Sequence, residues 1–217
     1  MSQTRRTVLA VPGSSDRFIA KARDLPVDAL FLDLEDAVAP AVKAESRQRI
    51  VEALNAGSFA APVLTVRVNG WDSPWTYADV IEVVAGAGSK IDALVLPKTS
   101  SAAQVKALDL LLSQVEANAG LPVGKIGLEA QIEDAIGLVN VNEIAAASPR
   151  LASLVYGPGD FMASMGMGGL NVGAQPVGYP SDAFHHVLMS ILVAARAHGL
   201  QAIDGPFTAI RDIDGFR

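Results

Sequence analysis

Seven short apolar segments that alternate with helical patterns constrain the fold of this chain more than any other feature of its sequence. The predicted strands are Thr7–Val11, Ala29–Leu34, Val63–Val68, Ala93–Leu96, Lys125–Glu133, Leu151–Tyr156 and Gln201–Asp204. The helical patterns between them are Asp16–Asp24, Ala41–Asn55, Thr76–Ala85, Ser101–Asn118, Val139–Ala147 and Asp182–His198. Strands that alternate with helices are typical of parallel βα units. The sequence therefore predicts either a doubly wound sheet or a (β/α)8 barrel.

Polar residues at the ends of the predicted strands favour the barrel. Almost every strand runs into such residues: Ser14; Asp33, Glu35 and Asp36; Arg67 and Asn69; Lys98; Glu129, Gln131 and Glu133; Asp160; Asp204. A doubly wound sheet uses mainly the loops at one switch point, whereas a barrel gathers the carboxyl ends of all its strands at one mouth. We therefore predict a single TIM barrel domain over residues 1–217, in which an eighth strand is absent from the sequence.

The segment LEAQIEDAIG places Glu129, Gln131 and Glu133 at alternate positions. On a strand these three side chains share one face, and burial of neighbouring carboxylates is costly unless something compensates them. Glu133 is the outermost of the three, and Asp160 ends the next strand in VYGPGD. Magnesium commonly takes one or two protein carboxylates and keeps several waters. The pattern therefore predicts a Mg²⁺ ion held by Glu133 and Asp160.

Structural roles for the same side chains remain open at this stage. Arg67 is a bidentate donor for a substrate carboxylate or a developing oxyanion, or the partner of Glu35 or Glu129 in an interior ion pair. Lys98 has the same two interpretations, and the structural one is favoured. Glu35 and Asp36 are predicted to hold the waters of the metal ion; the alternative is that the acidic residues bind backbone amides, Arg67 or Lys98.

Composition narrows the class of protein. The chain has 217 residues and a net charge of −6, so nothing favours nucleic acid or an anionic membrane as a partner. Cysteine is absent, which excludes disulfides and thiolate metal sites and is consistent with a cytoplasmic location. The sequence shows neither the apolar core of a signal peptide nor an apolar run long enough to span a bilayer.

Seven stretches of the chain together resemble a known family. They are VLAVPGSSDRFIAKA, DALFLDLEDAVAPAVKAESR, VRVNG, LVLPKTSSAAQV, IEDAIGLVNVNEIAAASPR, VYGPGDFMASMG and LQAIDGPFTAIRDIDGFR. Their order and content resemble the HpcH/HpaI aldolase–citrate lyase superfamily, in particular its citrate lyase β-subunit-like and malyl-CoA lyase proteins. The resemblance implies a TIM barrel, a Mg²⁺ ion and a homotrimer or hexamer. Family members continue past DIDGFR through an eighth strand and a C-terminal lid that this sequence lacks.

The resemblance also implies roles for individual residues. Glu133 and Asp160 match the metal carboxylates, and Arg67 matches the arginine that contacts the reacting carbonyl or carboxylate. Glu35 and Asp36, in DLEDAV, match the acidic pair that orders the metal waters.

Two further segments match binding regions of the family. Phe161 and Met162 match the backbone that meets the substrate carboxylate. The loop with Pro12, Ser14 and Arg17 lies where such proteins hold part of CoA.

The leading functional hypothesis is a magnesium-dependent carbon–carbon lyase. It would cleave a 3-hydroxyacyl-CoA of the malyl-CoA or citramalyl-CoA type into an acyl-CoA and a 2-oxoacid. The first alternative is a citrate lyase β subunit that acts on citryl bound to an acyl carrier protein. The second is a binding module for a 2-oxoacid or CoA ester without catalytic activity. The predicted partners are a small-molecule CoA thioester and a 2-oxoacid, and a homo-oligomer is expected. The citrate lyase alternative would instead need partner subunits.

Overall fold

The seven predicted strands are present in the computed structural model, which describes residues 4–168, 172, 175–176 and 178–216. The strands are β1 (Val8–Pro12), β2 (Ala29–Asp33), β3 (Val63–Arg67), β4 (Ala93–Leu96), β5 (Gly127–Ile132), β6 (Leu151–Tyr156) and β7 (Gln201–Ile203). They form one sheet in which neighbours are hydrogen-bonded in chain order. This order excludes a doubly wound sheet, whose strand order reverses at a switch point, and it is the order of a (β/α) barrel.

Parallel pairing aligns the carboxyl ends of the first three strands. Pro12 is level with Asp33 in the pairing of β1 with β2, and Asp33 is level with Arg67 in the pairing of β2 with β3. The pairs β3–β4 and β6–β7 are also parallel. The register therefore brings a carboxylate and a guanidinium side by side at the end of adjacent strands.

Nine helices are described. They are α1 (Asp16–Ala22), α2 (Lys43–Asn55), α3 (Thr76–Ala87), α4 (Ala102–Asn118), α5 (Ala135–Val139), α6 (Val141–Ala145), α7 (Pro158–Ser164), α8 (His185–Ala197) and α9 (Ile213–Phe216). Side chains define two of the starts, because Ser15 accepts a hydrogen bond from the Phe18 amide at α1 and Asp134 accepts one from the Gly137 amide at α5. None of the helices in the described part of the chain has the length and apolar character that a bilayer span requires.

Contacts divide the chain into two compact units. The first comprises Met1–Pro97 and Lys106–Glu129, and its core includes the fully buried Leu30, Ile50 and Leu94.

The second unit comprises Lys98–Val105 and Ala130–Arg217. Its longest helix, α8, buries Val187, Ile191 and Ala195, and it packs against β6, β7 and α6. The spacing of these buried positions is that of one helix face, which explains why this segment forms a core helix.

Three segments differ from the sequence prediction. The predicted helix Val139–Ala147 is instead the pair α5 and α6, which meet at Asn140. The last long helix begins at His185 rather than at Asp182. The helix α7 was not predicted, and it corrects the placement of Asp160: this residue lies in the first turn of α7, not at the end of a strand.

Candidate functional site

Each unit contains a cluster of charged residues around a buried carboxylate, Asp33 in the first unit and Glu133 in the second. The first, here called the acidic turn, consists of Asp33–Asp36 after β2 together with Arg67 at the end of β3. Arg67 binds Asp33 through two hydrogen bonds, Nε to Oδ1 at 2.7 Å and Nη2 to Oδ2 at 2.8 Å. The amides of Glu35 and Ala37 also donate to Asp33, at 2.9 and 3.0 Å. Asp33 is thus held by the protein on both oxygens.

The charges of Asp33 and Arg67 stabilise each other. Burial opposes ionisation of Asp33, but the hydrogen bonds and charge of Arg67 outweigh it and lower the pKa of the carboxyl below its usual value. Burial likewise disfavours the guanidinium, yet Asp33 raises its pKa. Arg67 also lies 3.4 Å from Glu35 Oε2. The ion-pair interpretation of Arg67 named Glu35 or Glu129; Asp33, the principal partner, was missed, although the register of β2 and β3 juxtaposes the two residues.

A buried lysine donates hydrogen bonds to the backbone of the acidic turn. Lys43, on α2, donates to the carbonyls of Leu34 at 2.8 Å and Glu35 at 3.0 Å, and its ammonium lies 5.0 Å from the centre of the Trp75 ring. Burial lowers the pKa of Lys43, although the charge of Glu35 acts in the opposite direction. Asn69 donates to the same Leu34 carbonyl at 3.0 Å. Sequence reasoning did not identify Lys43, whose helical position gave no signal of this contact.

The remaining predicted residues of the first unit differ in exposure. Glu35 is buried, and its Oε2 accepts the Asp36 amide at 3.0 Å, whereas Asp36 itself is exposed. Ser14 is half-buried, and the exposed Arg17 has its guanidinium 4.8 Å from the centre of the Phe18 ring.

A pocket of about 330 Å³ lies against β1 and α1 in the first unit. Its lining is Leu9, Ala10, Val11, Pro12, Phe18, Lys21, Ala22 and Leu25. Pro12 is thus the one predicted CoA-loop residue among them. The apolar lining suits a hydrophobic part of a ligand better than a phosphate group.

The second cluster, here called the carboxylate site, consists of Glu133, Asp160, Lys98 and Gln131. Glu133 follows β5 and is only 3% exposed. Its Oε1 accepts the backbone N–H of Lys98 at 2.6 Å, and its Oε2 accepts Nε2 of Gln131 at 2.5 Å. The Glu133 carboxylate is therefore oriented by two neutral donors, one on each oxygen.

Gly157 allows Glu133 to occupy this position. A Cβ atom added at Gly157 would lie 2.6 Å from Glu133 Cβ and closer still to Glu133 Oε2, a separation that real side chains do not tolerate. Gly157 precedes α7, so the same residue sets the start of the helix that carries Asp160. The close approach of backbone to carboxylate explains why this position is glycine.

Asp160 carries the clearest sign of a missing partner in the carboxylate site. Its Oδ2 atom is buried and has no hydrogen-bond partner. The nearest charged group is the Lys98 ammonium, 3.6 Å away. A buried polar oxygen without a partner is costly. This oxygen is therefore suited to receive a ligand.

Lys98 has an unusual backbone conformation. Its φ of +49° is the only positive φ of a non-glycine residue in the described part of the chain, and it costs about 1–2 kcal/mol. Neighbouring hydrogen bonds fix the turn: the Thr99 amide donates to the Gln131 carbonyl at 3.1 Å, and Ser100 Oγ donates to Asp134 at 2.6 Å. In this conformation the Lys98 amide donates to Glu133 Oε1.

The donor set of the carboxylate site fits a hard divalent cation. Two carboxylates with an otherwise unpartnered oxygen match the needs of Mg²⁺, which completes its octahedron with waters and substrate oxygens. No group of three or more His, Cys, Asp or Glu side chains suited to a metal was found among the residues that the structure describes. This excludes, for that part of the chain, a closed cage made only of such side chains.

Glu129, the first residue of the alternating pattern, has a different role. Its Oε1 lies 2.5 Å from Nη1 of Arg5, and both side chains are 6% exposed. Arg5 therefore compensates the buried Glu129. The segment therefore carries two buried glutamates with different neighbours: Glu129 pairs with an arginine, and Glu133 accepts hydrogen bonds from a backbone amide and a glutamine side chain.

Phe161 and Met162 lie in α7 with buried side chains. The Phe161 amide donates to the Gly157 carbonyl at 3.1 Å within the helix. Their assignment to substrate binding stays a prediction, as do the other residue roles.

The sequence of the chain is similar to those of known proteins. The family model for HpcH/HpaI aldolase/citrate lyase matches residues 6–217. An L-malyl-CoA/beta-methylmalyl-CoA lyase from Cereibacter sphaeroides is 38% identical, with 100% of this chain and 70% of the relative covered. The citrate lyase subunit beta of Leuconostoc mesenteroides subsp. cremoris is 36% identical, with 98% and 67% covered.

A solved structure gives the same answer for the fold. The protein CitE from Mycobacterium tuberculosis, in complex with magnesium and acetoacetate, matches with a TM-score of 0.74 and 30% identity, covering 96% of this chain and 76% of that one. The predicted resemblance is therefore confirmed. The chain belongs to the HpcH/HpaI aldolase/citrate lyase family.

Proposed function

We propose that the protein is a magnesium-dependent carbon–carbon lyase that cleaves a 3-hydroxyacyl-CoA of the malyl-CoA or citramalyl-CoA type. The products would be an acyl-CoA and a 2-oxoacid. The prediction of a lyase is confirmed by relatives that are named malyl-CoA lyase and citrate lyase subunit beta. The observation that carries the metal assignment is the carboxylate site, where neutral donors orient Glu133 and Asp160 Oδ2 is buried without a hydrogen-bond partner.

The chemistry of this cleavage suits the residues present. The bond between the hydroxyl-bearing carbon and the carbon next to the thioester breaks, the hydroxyl proton leaves, and the electron pair moves to an enolate of the thioester that then takes up a proton. Glu133 and Asp160 would hold the ion, and a bound Mg²⁺ supplies a Lewis acid for the hydroxyl and carboxylate oxygens. Arg67 would donate hydrogen bonds to the developing negative charge, the role that the family resemblance implies.

The finer statements on architecture also belong to this proposal. We infer a single TIM barrel domain, a cytoplasmic location and a homotrimer or hexamer, all on the strength of the resemblance. Glu35 and Asp36 would order waters of the metal ion, while Pro12, Ser14 and Arg17 would contact CoA. Phe161 and Met162 would meet the substrate carboxylate.

A thioester panel tests the proposed reaction. Purified protein is incubated with malyl-, citramalyl- and citryl-CoA, with Mg²⁺ or with a chelator, and the release of 2-oxoacid and of free CoA is measured separately. We expect Mg²⁺-dependent release of a 2-oxoacid from at least one ester, and none from the Glu133→Gln variant. Release of free CoA without a 2-oxoacid would indicate thioester hydrolysis and contradict carbon–carbon cleavage.

A citrate lyase β subunit is the second candidate, favoured by the similarity to the Leuconostoc protein. Citryl attached to an acyl carrier protein would then be cleaved far faster than citryl-CoA, and the same panel extended with the carrier-bound substrate separates the two. The remaining alternative, a binding module, predicts tight binding of a 2-oxoacid or CoA ester in calorimetry with no turnover of any member of the panel.

A further inference from the structure

Lys98 contacts both proposed metal ligands through two different atoms. Its backbone N–H donates to Glu133 Oε1 at 2.6 Å, and its side-chain Nζ lies 3.6 Å from Asp160 Oδ2. The first contact is neutral and orients a carboxylate. The second brings a positive charge to the one buried oxygen of the site that has no hydrogen-bond partner.

Hydrogen bonds of the neighbouring residues restrain the backbone of Lys98. The left-handed φ of +49° is held between the hydrogen bonds of Thr99 and Ser100 to the segment 131–134. The Asn140 side chain adds a third restraint, because Nδ2 donates to the Ser100 carbonyl at 2.9 Å. The amide on Glu133 is therefore fixed by the backbone, whereas the ammonium lies at the end of a flexible four-carbon stem.

The side chains of the Lys98–Asp160 pair are partly exposed. The side chain of Lys98 is 35% exposed and that of Asp160 is 41% exposed. At 3.6 Å the pair is an ion pair without a good hydrogen bond, and partly exposed pairs of this kind are weak. A divalent ion would compete successfully for the Asp160 oxygen, because it carries twice the charge and binds carboxylate oxygen directly.

We propose that the Lys98 ammonium is the place-holding cation of the carboxylate site: it compensates Asp160 in the metal-free protein, and Mg²⁺ displaces it toward solvent. This inference rests on the proposed assignment of Glu133 and Asp160 as metal ligands. Lys98 is then a positioning residue with two separable functions. Its backbone prepares Glu133 for the ion, and its side chain supplies a positive charge beside Asp160 when the ion is absent.

A change of the Lys98 side chain alone separates the two functions through the direction in which the Mg²⁺ affinity changes. Lys98→Met retains the amide on Glu133 but removes the competing charge, so Mg²⁺ no longer has to break an ion pair. We expect the affinity of the protein for Mg²⁺ to rise by about fivefold, the upper range for a partly exposed ion pair. A residue that helped to bind the metal would give the opposite result, a weaker affinity.

The experiment is a calorimetric titration of MgCl₂ into chelator-treated full-length protein, with no substrate present. Lys98→Arg keeps the charge and should remain within about twofold of the wild-type affinity. Lys106→Met removes an equal charge from an exposed position on α4 and serves as the matched control. A second readout is the rise in melting temperature on addition of Mg²⁺, which should be larger for Lys98→Met than for the wild type because its metal-free form has lost its cation.

The outcomes separate this inference from the function on which it rests. If the wild type binds Mg²⁺ and Glu133→Gln abolishes binding, but Lys98→Met leaves the affinity unchanged or weaker, the place-holder role is wrong and the metal site stands. If the wild type shows no Mg²⁺ binding, or if Glu133→Gln binds normally, both the metal site and the role of Lys98 are contradicted. Tighter binding by both Lys98→Met and Lys106→Met would indicate only an effect of net charge and would also overturn the inference.

Discussion

The acidic turn and the carboxylate site contain the same kind of side chain, a carboxylate, with different bonding partners. In the acidic turn, Asp33 receives a bidentate arginine and two backbone amides. In the carboxylate site, Glu133 is bound by one amide N–H and one side-chain amide, and Asp160 Oδ2 has no hydrogen-bond partner. Asp33 is paired with an arginine by two hydrogen bonds, whereas Asp160 has the Lys98 ammonium 3.6 Å away without a hydrogen bond to its buried oxygen.

This contrast indicates which acidic residues can bind a metal ion directly. A carboxylate whose two oxygens already hold a guanidinium would have to break that pair before it could take an ion. Carboxylates that are oriented by neutral donors keep both their direction and their charge. The number of acidic residues at strand ends is therefore less informative than what each of them already binds.

The largest effect is expected where the charge of the carboxylate site is removed. Glu133→Gln and Asp160→Asn should each abolish measurable Mg²⁺ binding in calorimetry while circular dichroism and the melting temperature remain near the wild-type values. Loss of one member of a repelling carboxylate pair relieves repulsion in the metal-free protein. Wild-type Mg²⁺ affinity in either variant would show that the residue is structural.

Glu129→Gln is the counterpart of Glu133→Gln on the same segment of chain. Glu129 and Arg5 form a pair in which both side chains are 6% exposed, and removal of one partner of a buried ion pair costs about 3–5 kcal/mol. We expect that loss in urea unfolding, with Mg²⁺ affinity per folded protein unchanged. Equal stability of Glu129→Gln and Glu133→Gln would remove the distinction between the two glutamates.

Asp33→Asn tests the neutralised cluster. The variant leaves Arg67 with Glu35 as its remaining partner at 3.4 Å, so we expect a loss of about 2–3 kcal/mol in the free energy of unfolding. Because the pKa of Asp33 is lowered from 3.8 in the folded state, its contribution is present above that pH and is lost as the pH falls through the folded-state pKa.

The difference between wild type and Asp33→Asn should therefore be constant near neutral pH and shrink only below about pH 3.8. Urea unfolding of both proteins over a series of pH values measures it. A difference that already disappears near neutral pH would contradict an ionised, arginine-bound Asp33.

Much of this architecture could be predicted from sequence because it depends on local patterns. The bounds of β4 and β6 agree with the prediction at both ends, since both are compact apolar runs. Helix α7 was missed because Pro158 and Gly159 together suggest a turn, although proline is favoured at the first position of a helix. Here α7 begins after Gly157 with Pro158 in its first turn, so Asp160 lies in a helix and not in a strand.

Long-range partners could not be predicted in the same way. The pairing of Glu129 with Arg5 joins residues 124 positions apart, and the alternating pattern alone cannot tell this glutamate from Glu133. The left-handed Lys98 gives no local signal either, because lysine has no preference for positive φ. These contacts decide which carboxylate is paired with an arginine, and they become known only from the structure.

The smallest effect concerns the glycine that admits Glu133. Gly157→Ala would place a methyl group against the Glu133 side chain, and we expect about tenfold weaker Mg²⁺ binding and a loss of about 1–3 kcal/mol in stability. Gly159→Ala is the matched control, since among the residues that the structure describes its Cβ would meet Val172 alone, at an ordinary contact distance of 3.6 Å. The same loss of Mg²⁺ affinity in both variants would show that the contact with Glu133 is not the cause.

Anomalous diffraction from crystals grown with Mn²⁺ in place of Mg²⁺ tests the contrast between the two clusters most directly. The central claim is that the metal binds Glu133 and Asp160 and not the carboxylate that Arg67 holds. The account predicts one anomalous peak bonded to oxygens of both Glu133 and Asp160, with the Lys98 ammonium moved away and Arg67 still on Asp33. A peak bonded to Asp33 or Glu35 instead, or no peak on Glu133 and Asp160, would contradict it.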